Sequence, residues 1–121
     1  MTPSPQIDLM IATLIMGLAA DVRKPGDWPF DECRIRDADD PEDFEHWRPF
    51  SPSTRIDHAW QVVEHITRPT AKTVSGMPWN TRFAHFWDGA DLWAESSAGA
   101  AARICAVALR AAGVDLPNAQ E

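Results

Sequence analysis

The sequence predicts a small α+β domain: a mainly antiparallel β-sheet layered between α-helices as an αβα sandwich, with three main helices and 3–4 strands. Two stretches, 51–68 and 96–112, carry apolar residues at helical spacing between clear start and stop signals. Residues 79–87 alternate large aromatic and smaller side chains and end at an Asp-Gly turn signal. A length of 121 residues suits one domain with one modest core, so 1–121 is read as a single unit.

Taken in order, the first helix is expected over 6–16, where Ile7, Met10, Ile11, Leu14 and Leu18 recur at helical spacing and Gly17 supplies the stop. Between Asp21 and Pro49 periodicity is lost. Pro25, Pro29, Pro41 and Pro49 mark 21–50 as a long acidic connection, and Trp28, Phe30, Phe44, Trp47 and Phe50 suggest that it folds back over the domain, with room for a short strand or helical turn. Ser51-Pro52-Ser53-Thr54 reads as a hydroxyl cap with proline in the first turn of the second helix, whose apolar stripe is Ile56, Ala59, Trp60, Val63 and Ile66 and which Pro69 ends. Strands are expected at 71–75, 79–87 and 90–95, the last two joined at Asp88-Gly89. Ser96-Ser97 opens the last helix, with Ala101, Ile104, Cys105, Ala108, Leu109 and Ala112 on a small-residue stripe and Gly113 at its end.

The net charge of −7 is unevenly placed. Residues 21–48 hold ten acids and five bases and so carry −5 on their own, while the remaining chain is nearly neutral. A protein of this sign does not coat nucleic acid or an anionic membrane, because that work belongs to Lys and Arg. Cys33 and Cys105 cannot form a disulfide framework and read as free thiols in a reducing compartment. The apolar run 9–16 lacks a preceding base and is too short to span a bilayer, so the protein is expected in the cytoplasm of the cell that makes it.

Four blocks carry a family resemblance. They are Ile7-Asp8 with Met16-Gly17, the segment from Pro49 through Ser53-Thr54-Arg55-Ile56-Asp57-His58-Ala59-Trp60 to Glu64, the aromatic stretch Phe83 to Trp87, and Ala102-Arg103-Ile104-Cys105-Ala106-Val107-Ala108-Leu109. In this order they resemble the phage ABA sandwich domain family. The resemblance implies a sheet layered between helices and an origin in a bacteriophage or prophage. It brings no catalytic residues to transfer, and the chain departs from the pattern in the acidic insert before Pro49 and in the turn around Pro78.

The chemistry-bearing residues point to binding more than to catalysis. His58 and His65 share a helix face but lie about 10 Å apart by helical rise, too far for one metal. No metal or other cofactor is expected. The run from Asp37 to Glu45 has Glu42 where a calcium loop needs glycine and Arg48 where it needs glutamate. Its acids Asp37, Asp39, Asp40, Glu42 and Asp43 suit a basic protein partner, since complementary fields speed association. The chain has no Gly-x-Ser-x-Gly elbow, Ser-x-x-Lys motif or phosphate-binding glycine loop, and the acid Glu32 beside Cys33 raises that thiol. Trp60 and Trp87 read as core, whereas Trp28, Trp47, Trp79 and Trp93, with Arg55, Lys72 or Arg82, offer rings and cations for stacking a small nucleotide-like anion. The expected role is a non-catalytic accessory module that binds a host protein through its acidic segment, with counter-defence as one use. Sequestering such an anion is the alternative, and a small hydrolase comes last. The tryptophan-rich composition is also compatible with a homodimer.

Overall fold

The computed structural model describes residues 3–24, 29–36, 47–69, 71–87 and 97–114. Helix α1 (Pro5–Met10) runs directly into a π-helical segment (Ile11–Ile15), followed by strands β1 (Ala19–Arg23), β2 (Glu32–Arg36) and β3 (Arg48–Pro49). Helix α2 (Ile56–Ile66), the hairpin β4 (Thr73–Val74) and β5 (Met77–Pro78), helix α3 (Trp79–Trp87) and helix α4 (Ser97–Ala111) are the other elements of the described residues. The result is a small α+β fold with two antiparallel sheets, one ordered β1-β2-β3 and one formed by β4-β5. No helix among the described residues is long and apolar enough to cross a membrane.

Helix α1 begins where the sequence places it: Ser4 Oγ accepts the Ile7 N–H and Pro5 occupies the first turn. The helix then widens. Met16 N–H donates to Ile11 O, five residues back, at 3.0 Å. The buried face runs through Ile7, Asp8, Ile11, Ala12 and Ile15, and Leu14 is 48% exposed, so Leu14 leaves the expected stripe. Gly17, at φ +69°, ends the element as expected.

Within the 21–50 segment the described residues include paired strands. Cys33 and Ile35 face inward while Glu32, Arg34 and Arg36 alternate outward, a period-2 pattern that pairs β2 with β1 on one side and β3 on the other. The dense charge hides the alternation when only the charge count is read.

Helix α2 also begins differently. Residues 52–54 form a turn that closes on Ser51 O, and Arg55 occupies the cap position in extended conformation without a side-chain cap bond. His58 ties the preceding turn to the helix: its Nδ1 accepts the Ser51 N–H at 2.9 Å. The buried face of α2 is Ala59, Val62 and Ile66, one step around from the expected stripe. Trp60 is therefore 48% exposed and does not belong to the core.

The expected strand 79–87 is a helix. Trp79, Phe83 and Phe86 satisfy a helical period as well as the alternating positions satisfy a strand, and Trp79 and Phe83 turn inward. The strand signal belongs upstream, where Ser75 (φ +52°) and Gly76 (φ +80°) form the two-residue turn joining β4 to β5. The expected turn Asp88-Gly89 and strand 90–95 lie outside the described residues.

Helix α4 is the centre of the helical layer and packs against α2, α3 and the π-helical segment. Ala101, Ile104, Cys105, Ala108, Leu109 and Ala111 are fully enclosed, and the small side chains of Ala101, Cys105, Ala108 and Ala111 let neighbours approach the helix closely. The principal core cluster joins Ile7, Ile11 and Ile15 with Ile35, Phe50, Val62, Ile66, Phe83, Cys105 and Leu109. The three-stranded sheet rests on α1.

Candidate interaction site

Strands β2 and β3 bring the two ends of the acidic run together. Ile35 faces Arg48 and Arg34 faces Pro49 across the antiparallel pair, and the Arg36 guanidinium lies 5.9 Å from the centre of the Trp47 ring. The ten residues 37–46 that connect these ends contain six acids and neither Lys nor Arg. Asp37, Asp39, Asp40, Glu42 and Asp43 belong to that stretch and, like Trp28 and His46, lie outside the described residues.

The remaining predicted residues occupy three separate settings. Trp47 is half-buried beside Arg36. Arg55 sits at the start of α2 and grips Asp57 through Nε at 3.2 Å and Nη2 at 2.9 Å, both side chains being exposed. Its hydrogen bond, ahead of its charge, holds the Asp57 carboxyl below the usual range. Arg82, on α3, donates from Nε to Ala111 O at 2.8 Å and from Nη2 to Arg110 O at 3.0 Å. It thereby closes the carbonyl end of α4, where a cation also meets the negative end of the helix dipole.

Trp79 does not present a free ring. It is 8% exposed, and Lys72 Nζ stands 4.8 Å from its centre. The tryptophan–arginine grouping expected for a stacked base is thus not assembled from Trp79, Arg55 and Arg82. A different aromatic takes the place: Phe86 has the Arg82 guanidinium carbon at 5.2 Å and that of Arg110 at 4.4 Å from its centre, with His85 edge-on at 5.3 Å. Sequence reasoning missed Phe86 and Arg110. The signal was the helical spacing of Trp79, Arg82 and Phe86, legible only once 79–87 is read as a helix.

The titratable groups in the interior are structural. Asp8 is buried on α1, accepts the Ser53 N–H at 2.8 Å, and burial pushes its carboxyl up to about 6. Cys33 is pushed up to about 12, chiefly by burial, with the charges of Asp8, Asp21 and Glu32 adding to it. The direction is the expected one, but burial rather than Glu32 leads. Burial raises Cys105 as well. Both sulfurs are free, buried thiols.

His58 is lowered by burial first and by Arg55 second, and its ring stacks on Phe50 at 5.9 Å. Its Nδ1 is already an acceptor within the fold. His65 lies two turns further along α2 and His85 on α3. Among the described residues no group of three His, Cys, Asp or Glu side chains is placed to hold a metal ion.

No protein-family model, curated protein or solved structure matches the chain.

Proposed function

We propose that this chain is a non-catalytic binding module that engages a basic protein through the acidic run 37–46. It would act in the bacterial cytoplasm as an accessory protein of the phage ABA sandwich type, with counter-defence against a host protein as one such role. The observation that carries the reading is the density of charge, six acids and no Lys or Arg in ten residues, between ends clasped by β2 and β3. Acids at this density steer a basic surface into contact. The blocks resembling the phage family fall largely on α1, α2, α3 and α4, where they build the core, so they bear on origin and fold more than on the site.

The alternative, a small nucleotide-like anion held by tryptophan and arginine, draws less support. Trp79 is buried, Arg55 is paired with Asp57, and Arg82 is hydrogen-bonded to the end of α4.

Replacing Asp37, Asp39, Asp40, Glu42, Asp43 and Glu45 by their amides tests the reading in a capture from bacterial lysate. Basic proteins retained by the wild type should be released by raising salt from about 0.1 M to about 0.5 M and should be missing from the amide variant, because exposed charge pairs are screened within a Debye length. Equal retention by both proteins would falsify the assignment.

A further inference from the structure

The turn between β3 and α2 is held by two titratable side chains that reach it from different helices. Phe50, Pro52 and Ser53 are buried, and the Thr54 and Arg55 N–H groups close back on Ser51 O at 3.1 and 2.8 Å. Ser51 N–H donates to His58 Nδ1, on α2, at 2.9 Å, and Ser53 N–H donates to Asp8 Oδ1, on α1, at 2.8 Å. With Phe50 N–H donating to Cys33 O, every N–H from Phe50 to Arg55 has an acceptor.

The two side-chain acceptors respond differently to a proton. A carboxyl group that takes a proton on one oxygen still accepts on the other, so Asp8 can hold Ser53 in either state. An imidazole that takes a proton on Nδ1 has no acceptor left, and its new N–H would point at the Ser51 N–H. The observed bond therefore belongs to the neutral ring with its proton on Nε2, which lies 3.9 Å from Asp57 Oδ2. The ring has little room to turn away, because it stacks on the buried Phe50 and its side chain is only 13% exposed. Among the described residues, Arg55 on α2 and Arg48 on β3 oppose a further positive charge, Asp57 favours one, and residues 50–54 contribute none. Burial leads, and with the two arginines it holds the ring below the ordinary histidine value.

We propose that His58 is an acid-released clasp: proton uptake at Nδ1 frees the Ser51 N–H and lets the turn 51–54 part from α2, while Asp8 keeps it on α1. The folded protein binds the His58 proton less tightly than the unfolded chain does. The contribution of His58 is therefore present above pH 6.5 and is lost as pH falls through the lower value of the folded state. Asp8 runs the other way, since its carboxyl, raised to about 6, favours the fold as pH falls. Acid thus releases one end of the turn and leaves the other secured. Strand β3, which leads directly into the turn, keeps its pairing with β2 and loses its tie to α2. This device lies at the joint between sheet and helices, goes beyond the binding role proposed above, and stands or falls separately from it.

Nuclear magnetic resonance of the whole chain between about pH 8 and about pH 4.5 reads the prediction, a range that brackets a histidine titration. The ring nitrogen shifts should show Nδ1 without a proton at the upper end and protonated at the lower. Protection of the Ser51 amide from hydrogen exchange, corrected for the intrinsic pH dependence, should fall about tenfold along the same titration, the weight of one hydrogen bond. Protection at Ser53 and at Leu109 should hold. His58→Asn, which offers an amide oxygen near the place of Nδ1 and does not titrate, should keep Ser51 protected at both ends of the range. Ser51 protection indifferent to the ring's titration, or lost in His58→Asn as in the wild type, would overturn the proposal. So would loss at Ser51, Ser53 and Leu109 together, which reports general unfolding. If His58→Asn does not fold, the wild-type titration decides by itself.

Discussion

Asp8 and Arg82 each join segments distant in the chain, and the two side chains handle their charge in opposite ways. Asp8, on α1, reaches Ser53, 45 residues away, from a site that is almost closed to water. Burial there outweighs the hydrogen bonds from Ser53 and raises the carboxyl from 3.8 to about 6. Arg82 reaches Ala111, 29 residues away, from a half-buried position. Its charge falls on the carbonyl end of α4, which favours a cation. One contact holds a charge against its surroundings and the other uses its surroundings to hold a charge. The first should respond to pH and the second should not.

The largest expected effect breaks the comparison at Asp8. The folded protein binds this proton more tightly than the unfolded chain, so the contribution of Asp8 to stability is fully present below pH 3.8 and is lost as pH rises through about 6. The loss across that window is at most about 2–3 kcal/mol. Asp8→Asn keeps an acceptor for the Ser53 N–H without the charge. Denaturation with urea at pH 4, 5, 6 and 7 should show the variant with a flatter profile than the wild type; parallel profiles would remove Asp8 as the cause.

Arg82→Ala comes next. It removes two charge-assisted hydrogen bonds and one of the cations on Phe86, and should lower stability by about 2 kcal/mol. That loss should be the same at pH 5 and pH 7, which sharpens the contrast with Asp8. Thermal melts at both values measure it.

The smallest effect concerns the same end of α4. Gly113 has φ +80°, and a Cβ there would lie 3.1 Å from a methyl of Val74. Gly113→Ala should cost about 1–2 kcal/mol through the left-handed backbone and that contact. A loss at the low end, about 1 kcal/mol, would mean that Val74 gives way and that the left-handed backbone alone is felt.

Much of the fold is legible in the residues, with particular exceptions. The periodicity of 56–66 and 97–111 identifies α2 and α4, and Gly17 and Gly113 end their elements where expected, both at positive φ. For α3 the local pattern is degenerate: Trp79, Phe83 and Trp87 fit both periods, and β-favouring aromatics tilt the reading toward a strand. Burial of Trp79 and Phe83 against the core decides for the helix. The strand at 32–36 could have been read from Cys33 and Ile35 alternating with charged residues.

The candidate site was less legible. Its acidic run is evident in the sequence, but the pairing of β2 with β3 that brings the ends of the run together is not. Trp60 looks like core on its helix, and the structure exposes it; the burial of Asp8 has no mark in the sequence.

The sequence alone determined the local elements that depend on neighbours three or four positions away: two amphipathic helices, glycine stops and the concentration of acid into one run. The tertiary structure decided which side of each helix meets a partner, whether the aromatic stretch coils or extends, and which charges are enclosed. The physical reason is that backbone preference is a property of a short window, whereas burial is a property of the surface that arrives from elsewhere in the chain.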